Sequence, residues 1–361
     1  MTGVLAEIEL AAVRERMLAA GAEVGPELEG SLISGGRSNL TVLLHDGVRR
    51  WVLRTPPRHG RTPSAHDVGR EFRVTDGLAA TDVPVAAPVV FCEDEAILGG
   101  PFSVWEFVDA VTVQSRDQFD ALDQGVIDGI TDALVETLAA LHRVDHVAVG
   151  LERFGRPDAY VRRQITRWSG QWELVAPRDA QVREEATEVR QLLEERIPEQ
   201  RHTSIVHGDY RIDNALLDLG GATPRVAAVV DWELSTIGDP IADVATMCAY
   251  RHAAFDQVLG FPTAWTSPRL DAPAALARRY ERAGGVELES WPAHLGLAYY
   301  KIAVIAAGID YRWRAEGAPE DGNDTAGSAV APFLEAALTT LTADRPAGGP
   351  TRGARCRSTT C

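Results

Sequence analysis

The sequence predicts an α+β fold in two lobes: a small N-terminal lobe, residues 1–108, with a five-stranded antiparallel sheet and one main helix, and a larger, mostly α-helical lobe, residues 109–344. Three observations predict it. Up to about residue 108 the apolar residues come in short alternating runs separated by turn residues, the period of half-buried strands. After Asp109 they recur at helical spacing almost without relief. The one interruption, residues 204–232, places short strand-like runs around a polar loop. At 361 residues, 45% hydrophobic and 24% charged, the chain has the composition of a globular protein and length for about two compact units.

The elements follow in order. Residues 5–19 carry apolar positions at helical spacing with Glu and Arg between them. Residues 32–34, 41–44 and 51–54 read as strands, the last two joined by His45-Asp46-Gly47, whose Asp-Gly is a hairpin signal. Pro63 and Ser64 are expected to open a helix, with Asp67 in a capping-box relation to Ser64 and Glu71, Val74 and Leu78 following at helical spacing. Residues 85–91 and 102–108 complete the sheet. Helices are expected over 119–141, 160–174, 181–197, 241–250, 274–282, 295–313 and 331–341, with strands at 205–206, 215–217 and 226–230. Residues 345–361, rich in Gly, Pro, Thr and Arg, are expected to be disordered.

Composition excludes several function classes. A formal charge of −16 with no basic run before the extreme tail argues against nucleic acid as a partner. The longest apolar stretch near the C-terminus, residues 302–309, is bounded by Lys301 and Asp310, so no membrane span is expected. Glu7, Glu9 and Glu15 stand where a secretory signal would be basic and then apolar, which leads to the expectation of a cytoplasmic protein. Cys92, Cys248, Cys356 and Cys361 are scattered, without the spacing of a zinc site or a disulfide framework. Lys301 is the single lysine. No glycine loop is therefore followed by the lysine of a Walker motif, and Schiff-base chemistry would have to use a residue set in an apolar helical run.

The polar loop reads His207-Gly208-Asp209-Tyr210-Arg211-Ile212-Asp213-Asn214, and a second acidic element follows as Val229-Val230-Asp231-Trp232-Glu233. Carboxylates and an amide flanked by strands offer the hard oxygen ligands that suit Mg²⁺, an ion that keeps substrate phosphates among its ligands. The logic is that of phosphoryl transfer: Asp209 orients an attacking hydroxyl and accepts its proton, while Asn214 and Asp231 hold the metal. His207 reads as a brace for the loop backbone. Glu233 reads either as a metal neighbour or as an acceptor for backbone donors, and Arg211 either as a partner of Asp213 or as a phosphate contact. Asp239 ahead of Pro240 reads as a helix N-cap.

The pattern His-Gly-Asp with Asn five residues after the Asp, then an apolar strand ending in Asp231-Trp232-Glu233, then Gly238-Asp239-Pro240, resembles the aminoglycoside phosphotransferase and choline kinase family, over about residues 31–340. The resemblance implies a protein-kinase-like bilobal fold, with a nucleotide-binding lobe at 1–108 and a catalytic and substrate lobe at 109–344, and it implies ATP and Mg²⁺ as cofactors. It implies a kinase acting on the hydroxyl of a small molecule. In the small lobe Gly35 and Gly36 allow close approach to phosphates, and Ser38 and Asn39 add donors. Arg54 stands where the family pattern has a strand lysine, and Glu71 resembles the helix glutamate that pairs with it. At Glu106 and Val108, where the lobes join, the family's backbone hydrogen-bonds adenine.

Arg for Lys at position 54 keeps the charge but changes its shape and hydration. It leaves two readings open, an active enzyme in an arginine-biased chain or a nucleotide-binding regulatory module without turnover. Acceptor residues are expected in two stretches, Tyr160, Arg163, Arg167, Trp168 and Trp172, and Tyr300, Lys301, Tyr311, Arg312 and Trp313. The wording Ser34-Gly35-Gly36-Arg37-Ser38-Asn39-Leu40-Thr41, Ser64-Ala65-His66-Asp67 with Glu71, and Asp231-Trp232-Glu233-Leu234 resembles most the branch related to kinase domains fused to acyl-CoA dehydrogenases. That branch implies a hydroxyacyl acceptor or a thioester. The broader family implies an aminoglycoside or macrolide antibiotic instead.

Overall fold

The computed structural model describes residues 5–33, 39–57, 67–315 and 325–343. Gly35, Gly36, Ser38, Ser64 and the tail at 345–361 lie outside the described residues.

The N-terminal lobe runs α1 (Glu7–Ala19), β1 (Glu29–Leu32), β2 (Leu40–His45), β3 (Arg50–Thr55), α2 (Val68–Leu78), β4 (Pro88–Cys92), α3 (Glu95–Leu98) and β5 (Phe102–Glu106). Its five strands form one antiparallel sheet in the order β1-β2-β3-β5-β4. The β2–β3 turn closes because Asp46 Oδ1 accepts from the Val48 and Arg49 amides and Gly47 takes φ 86°, a conformation open to glycine. Strand alternation then sorts the side chains onto two faces. Trp51, Leu53, Phe102 and Val104 join Val13 and Met17 of α1 in one apolar cluster. Ser103 and Trp105 point the other way, to α2: Ser103 Oγ donates to Val68 O at 3.0 Å and Trp105 Nε1 to Thr75 Oγ1 at 2.8 Å. Arg54, paired with Ser103 across the ladder, faces the same helix.

Boundaries differ from expectation at β1, which runs Glu29–Leu32 rather than 32–34, at the end of β5, and at α2 and β4. Helix α2 begins at Val68 with Asp67 itself as N-cap, its side chain accepting from the Arg70 amide at 2.8 Å, so Asp67 is not the third residue of a box opened by Ser64. Strand β4 begins only at Pro88; Val85 instead bridges Val229 of the larger lobe, where the Val229 amide donates to Pro84 O. The chain thus ties the lobes together just before β4.

The larger lobe runs α4 (Arg116–Asp120), α5 (Gln124–Arg143), α6 (Tyr160–Val175), α7 (Ala180–Glu195), β6 (Ser204–Val206), β7 (Ala215–Asp218), β8 (Arg225–Val229), β9 (Thr236–Gly238), α8 (Pro240–Ala249), α9 (Phe255–Leu259), α10 (Pro273–Arg282), α11 (Trp291–Ala315), α12 (Thr325–Ser328) and α13 (Val330–Thr342). The helix expected over 119–141 is two helices, because Ser115 and Gln118 close a capping box on α4 and the chain restarts at Asp123. Helix α11, at 25 residues, has the length and hydropathy of a membrane span, which the apolar count of 302–309 underestimates. It is the axis of the lobe's core instead, packed against α8, α13 and α6, with Tyr300, Ala303 and Val304 fully buried.

Two small antiparallel pairs place the polar loop. β6 pairs with β9, and β7 pairs with β8. The loop from β6 to β7 and the loop from β8 to β9 are therefore held side by side at the lobe junction.

Candidate active site

The loop His207 to Asn214 leaves β6 and is fixed from below by α8. Asp239 caps that helix, accepting from the Ile241 amide at 3.0 Å, with Pro240 in its first turn. One turn on, the buried Asp243 accepts from the amides of His207 at 2.5 Å and Gly208 at 2.7 Å. Burial works against its charge, but the hydrogen bond and charge of His142 together with these amides hold its carboxyl below the usual range. Gly208 has φ 84°, and a Cβ there would sit 2.8 Å from Leu234 O, so only glycine lets the two loops touch. The His207 ring braces both: Nδ1 accepts from the Asp209 amide at 3.2 Å, Nε2 donates to Val230 O at 3.0 Å, and the ring packs at a tilt against buried Trp232, 4.7 Å between centroids.

The β7–β8 ladder brings the three chemistry-bearing residues together. Asn214 directly precedes β7 and Asp231 follows β8 by two residues, and the Val230 amide donates to Asn214 O at 2.9 Å. Asn214 Nδ2 donates to the Asp209 carbonyl at 2.8 Å and to its Oδ2 at 3.1 Å, while Tyr250 Oη donates to Asp209 Oδ1 at 2.5 Å. Arg211 lies 3.5 Å from the same oxygen and is ion-paired with Asp213. Of the two readings of Arg211, the described structure thus contains the partnership with Asp213. Asp231 sits at φ 66° and ψ 57°, a left-handed conformation that Asp tolerates better than most residues and that re-aims its side chain at the start of a 3₁₀ turn.

From the small lobe, Arg54 reaches Glu71 at 2.5 Å and lies 3.9 Å from Asp231 Oδ1. The pairing of Glu71 with Arg54, rather than with Arg70 or Arg73, is present. Arg73 pairs with Asp67. Arg70 stacks on Phe154 at 4.1 Å and donates to the carbonyls of Ser235 and Phe154 at 2.8 Å each, tying α2 to the segment that follows Glu233. Asn39, expected to add a donor for phosphates, is buried and donates to Glu71 Oε1 at 3.2 Å. Its Nδ2 orients the glutamate instead. The Glu106 amide donates to Ala87 O and the Phe107 amide to Arg50 O, whereas the Val108 amide meets no backbone carbonyl of the described residues. The Glu106 side chain is exposed.

One carboxylate oxygen each of Glu71, Asp231 and Glu233 lies within 4.8 Å of the others, and Asp231 Oδ1 is buried without a hydrogen-bond donor. An oxygen cage of this kind fits a hard divalent cation. Burial, opposed by the Arg54 charge and reinforced by those of Asp231 and Glu233, raises the Glu71 carboxyl to about 7 from its ordinary 4.5. The sign follows from linkage: the folded chain holds the Glu71 proton more tightly than the unfolded chain, so this group's stabilising contribution is full below pH 4.5 and is lost as pH rises through about 7. A cation entering the trio favours the ionised form. Mg²⁺ binding at pH 6.5 is therefore expected to release protons, seen as a calorimetric heat that varies with the buffer's ionisation enthalpy; a buffer-independent heat would count against Glu71 as part of the site.

The acceptor stretches converge in part. Trp168 and Lys301 face each other at 6.0 Å and, with Tyr160, Gln164 and His294, line a small cavity behind Gly208. Lys301 Nζ donates to Gly208 O at 2.7 Å, and burial lowers its proton affinity. Arg163 stacks on Tyr160 and Arg167 on Trp168. Trp172 and Tyr300 are in the core, while Tyr311 and Trp313 are exposed and away from this cavity's lining. Asp243, Tyr250 and Arg70 carry functional contacts that the sequence reading does not single out.

Comparison with known proteins shows the family and the fold. Residues 29–297 match the sequence profile of a family described as "Phosphotransferase enzyme family". The chain is similar to acyl-CoA dehydrogenase family member 10 of Mus musculus, 32% identical over 76% of this chain, and to member 11 of Homo sapiens, 30% identical over 88%. It spans 25% and 40% of the length of those relatives. Among solved structures it is similar to a "putative aminoglycoside phosphotransferase" from Ralstonia eutropha, with 30% identity, a TM-score of 0.78, and coverage of 94% of this chain and 99% of that one. The fold also matches APH(4)-Ia in complex with AMP-PNP and hygromycin B, at 18% identity, a TM-score of 0.58, and coverage of 91% and 98%.

Proposed function

The chain belongs to the phosphotransferase enzyme family, and from that premise we propose that it moves the γ-phosphate of ATP, in a Mg²⁺-dependent reaction, to a hydroxyl of a small molecule. The observation that carries the reading is the convergence of Asp209, Asn214 and Asp231 below an Arg54–Glu71 pair contributed by the other lobe. Asn214 and Asp231, with Glu71 and Glu233 beside them, would hold the cation, whose contribution when bound is to neutralise phosphate charge. Arg54 adds a fixed positive charge to the same place. Asp209 orients the acceptor hydroxyl and takes its proton as the acceptor oxygen bonds to phosphorus and the bond to ADP breaks. Positioning and charge stabilisation supply most of the acceleration, since a loose transition state asks for little covalent work.

For the acceptor we propose a hydroxyacyl compound, either the free acid or a thioester. Two features support it: the similarity to relatives named as acyl-CoA dehydrogenases, and the cationic and aromatic side chains of Lys301, Arg167 and Trp168 where the two acceptor stretches meet. A polycationic antibiotic requires an acidic lining there, so an aminoglycoside acceptor, suggested by the structural relatives, is the second reading. The regulatory-module reading rests on Arg54 alone, and its 2.5 Å contact with Glu71 supports an intact pair instead.

The test is phosphate transfer from ATP, with and without Mg²⁺, across hydroxylated acyl-CoAs and acids, aminoglycosides, macrolides and choline, with the Asp209→Ala protein as blank. Mg²⁺-dependent transfer to a hydroxyacyl compound is the expected result. Transfer to an aminoglycoside alone would overturn the acceptor assignment. Nucleotide binding with no transfer to any class would favour the regulatory module.

A further inference from the structure

We propose that Tyr250 is a positioning residue for phosphoryl transfer, fixing the Asp209 carboxylate in the orientation from which it accepts the acceptor's proton. The inference rests on the reading of Asp209 given above.

Helix α8 and its C-cap carry two residues aimed at one loop. Asp243 and Tyr250 are seven positions apart, two helical turns, and so share a face. Asp243 binds the backbone of the loop at His207 and Gly208; Tyr250 binds the side chain of the next residue, Asp209. The same helix face thereby sets both the path of the loop and the rotation of its carboxylate. Tyr250 is buried, 4% exposed, and its ring is held by Phe255 at 4.5 Å with the Arg211 guanidinium over its face at 5.9 Å. Burial and the adjacent Asp209 charge keep the phenol well above its ordinary range, so at neutral pH it is protonated and donates. The 2.5 Å bond is a charge-assisted one to Oδ1, and Asn214 donates to Oδ2. With a donor fixed on each oxygen the carboxylate cannot rotate about Cβ–Cγ. Each oxygen keeps a further lone-pair site for the incoming hydroxyl.

A tyrosine buried only for packing satisfies its hydroxyl on whatever acceptor is near. Tyr210, in the same loop, does this on the backbone carbonyl of Leu134 at 2.8 Å. Tyr250 reaches instead across 41 residues of sequence to the one carboxylate that the transfer requires.

The test uses Tyr250→Phe, Asp209→Asn and the double variant in the full-length protein. Each is assayed for Mg-ADP affinity and for turnover of Mg-ATP, with water as the probe acceptor and with any hydroxylated acceptor that the wild type uses. Tyr250→Phe is expected to lower kcat by about 10- to 100-fold, the effect of losing one hydrogen bond to a charged group, with Mg-ATP KM and Mg-ADP affinity unchanged. In the Asp209→Asn background the same change is expected to have no further effect, because its partner is already gone. Turnover of Tyr250→Phe within twofold of wild type, or a full multiplicative loss in the double variant, overturns the proposal. In protein labelled with ¹³Cζ-tyrosine, the Tyr250 resonance, assigned by its absence in Tyr250→Phe, is expected to move in Asp209→Asn; a stationary resonance overturns the proposal even where turnover is too slow to follow. Failure of the wild type to bind Mg-ADP would instead count against the phosphotransferase reading of this chain's site.

Discussion

Asp209→Ala is expected to bind Mg-ADP as the wild type does while losing phosphoryl transfer by about 10²- to 10⁴-fold, the range over which a positioned general base contributes. The separation of effects comes from the architecture. The groups proposed to hold the cation and the phosphates, Arg54, Glu71 and Asp231, come from β3, α2 and the end of β8, and of the described residues proposed for that side only Asn214 touches Asp209. The carboxylate of Asp209 is otherwise met by Tyr250 and Arg211, both of the larger lobe. Removing the carboxylate leaves the buried Tyr250 hydroxyl without its acceptor, a loss of about 1–2 kcal/mol in stability. Arg211 keeps Asp213, so no buried charge is orphaned. Isothermal titration with Mg-ADP, thermal denaturation and a transfer assay on the same preparation check the three parts together. Transfer retained within about threefold of wild type would remove Asp209 from the chemistry.

The parts of this site that were readable in the sequence are those encoded locally. Asp209, Asn214 and Asp231 stand at fixed offsets from short strands, and pairing β7 with β8 suffices to bring Asn214 and Asp231 together. The alternation of β3 likewise puts Arg54 on the face that α2 covers, opposite Trp51 and Leu53. What was not readable depends on tertiary packing. Asp243 looks like one more polar residue in an apolar helix, and Tyr250 like one more aromatic near its end; only the docking of α8 beneath the loop makes them the partners of Gly208 and Asp209. Lys301 was conspicuous as the single lysine, but its contact with Gly208 O spans 93 residues and follows from the packing of α11 against α8. Asn39 shows the converse case. Beside a glycine pair its amide reads as a phosphate donor, whereas the sheet turns it inward onto Glu71. Asp67 was misplaced within its helix because Ser and Asp are both good caps three residues apart, and propensity alone does not rank them.

Asp231→Asn is expected to lower transfer by about 10³-fold without weakening the empty protein, and that pairing of outcomes identifies Asp231 as a ligand rather than a structural cap. In the absence of a cation Asp231 does little for the fold. Its backbone is left-handed, its Oδ1 is buried without a hydrogen-bond donor, and its charge lies among those of Glu71 and Glu233 within the 4.8 Å cluster, with Arg54 at 3.9 Å. Asn adopts the left-handed region at least as readily and removes one of three like charges, so the apo melting temperature should be unchanged or rise slightly. The Glu71 carboxyl, held up partly by the Asp231 charge, should also drop back toward its ordinary range. With Mg-ADP the order reverses. A ligand that binds only the folded state stabilises by about 2.7 kcal/mol at a hundred times its dissociation constant, and the variant, lacking the charge that holds the cation, should gain far less. Transfer should fall by about 10³-fold, the several kcal/mol expected for losing a metal's charge stabilisation. Melting curves of both proteins with and without Mg-ADP should therefore cross, the variant at least as stable when empty and less stable when loaded. If Asp231→Asn instead melted several degrees lower when empty yet still transferred phosphate, the residue would be a cap for the turn at Trp232, and the strain at φ 66° would need a purely structural explanation.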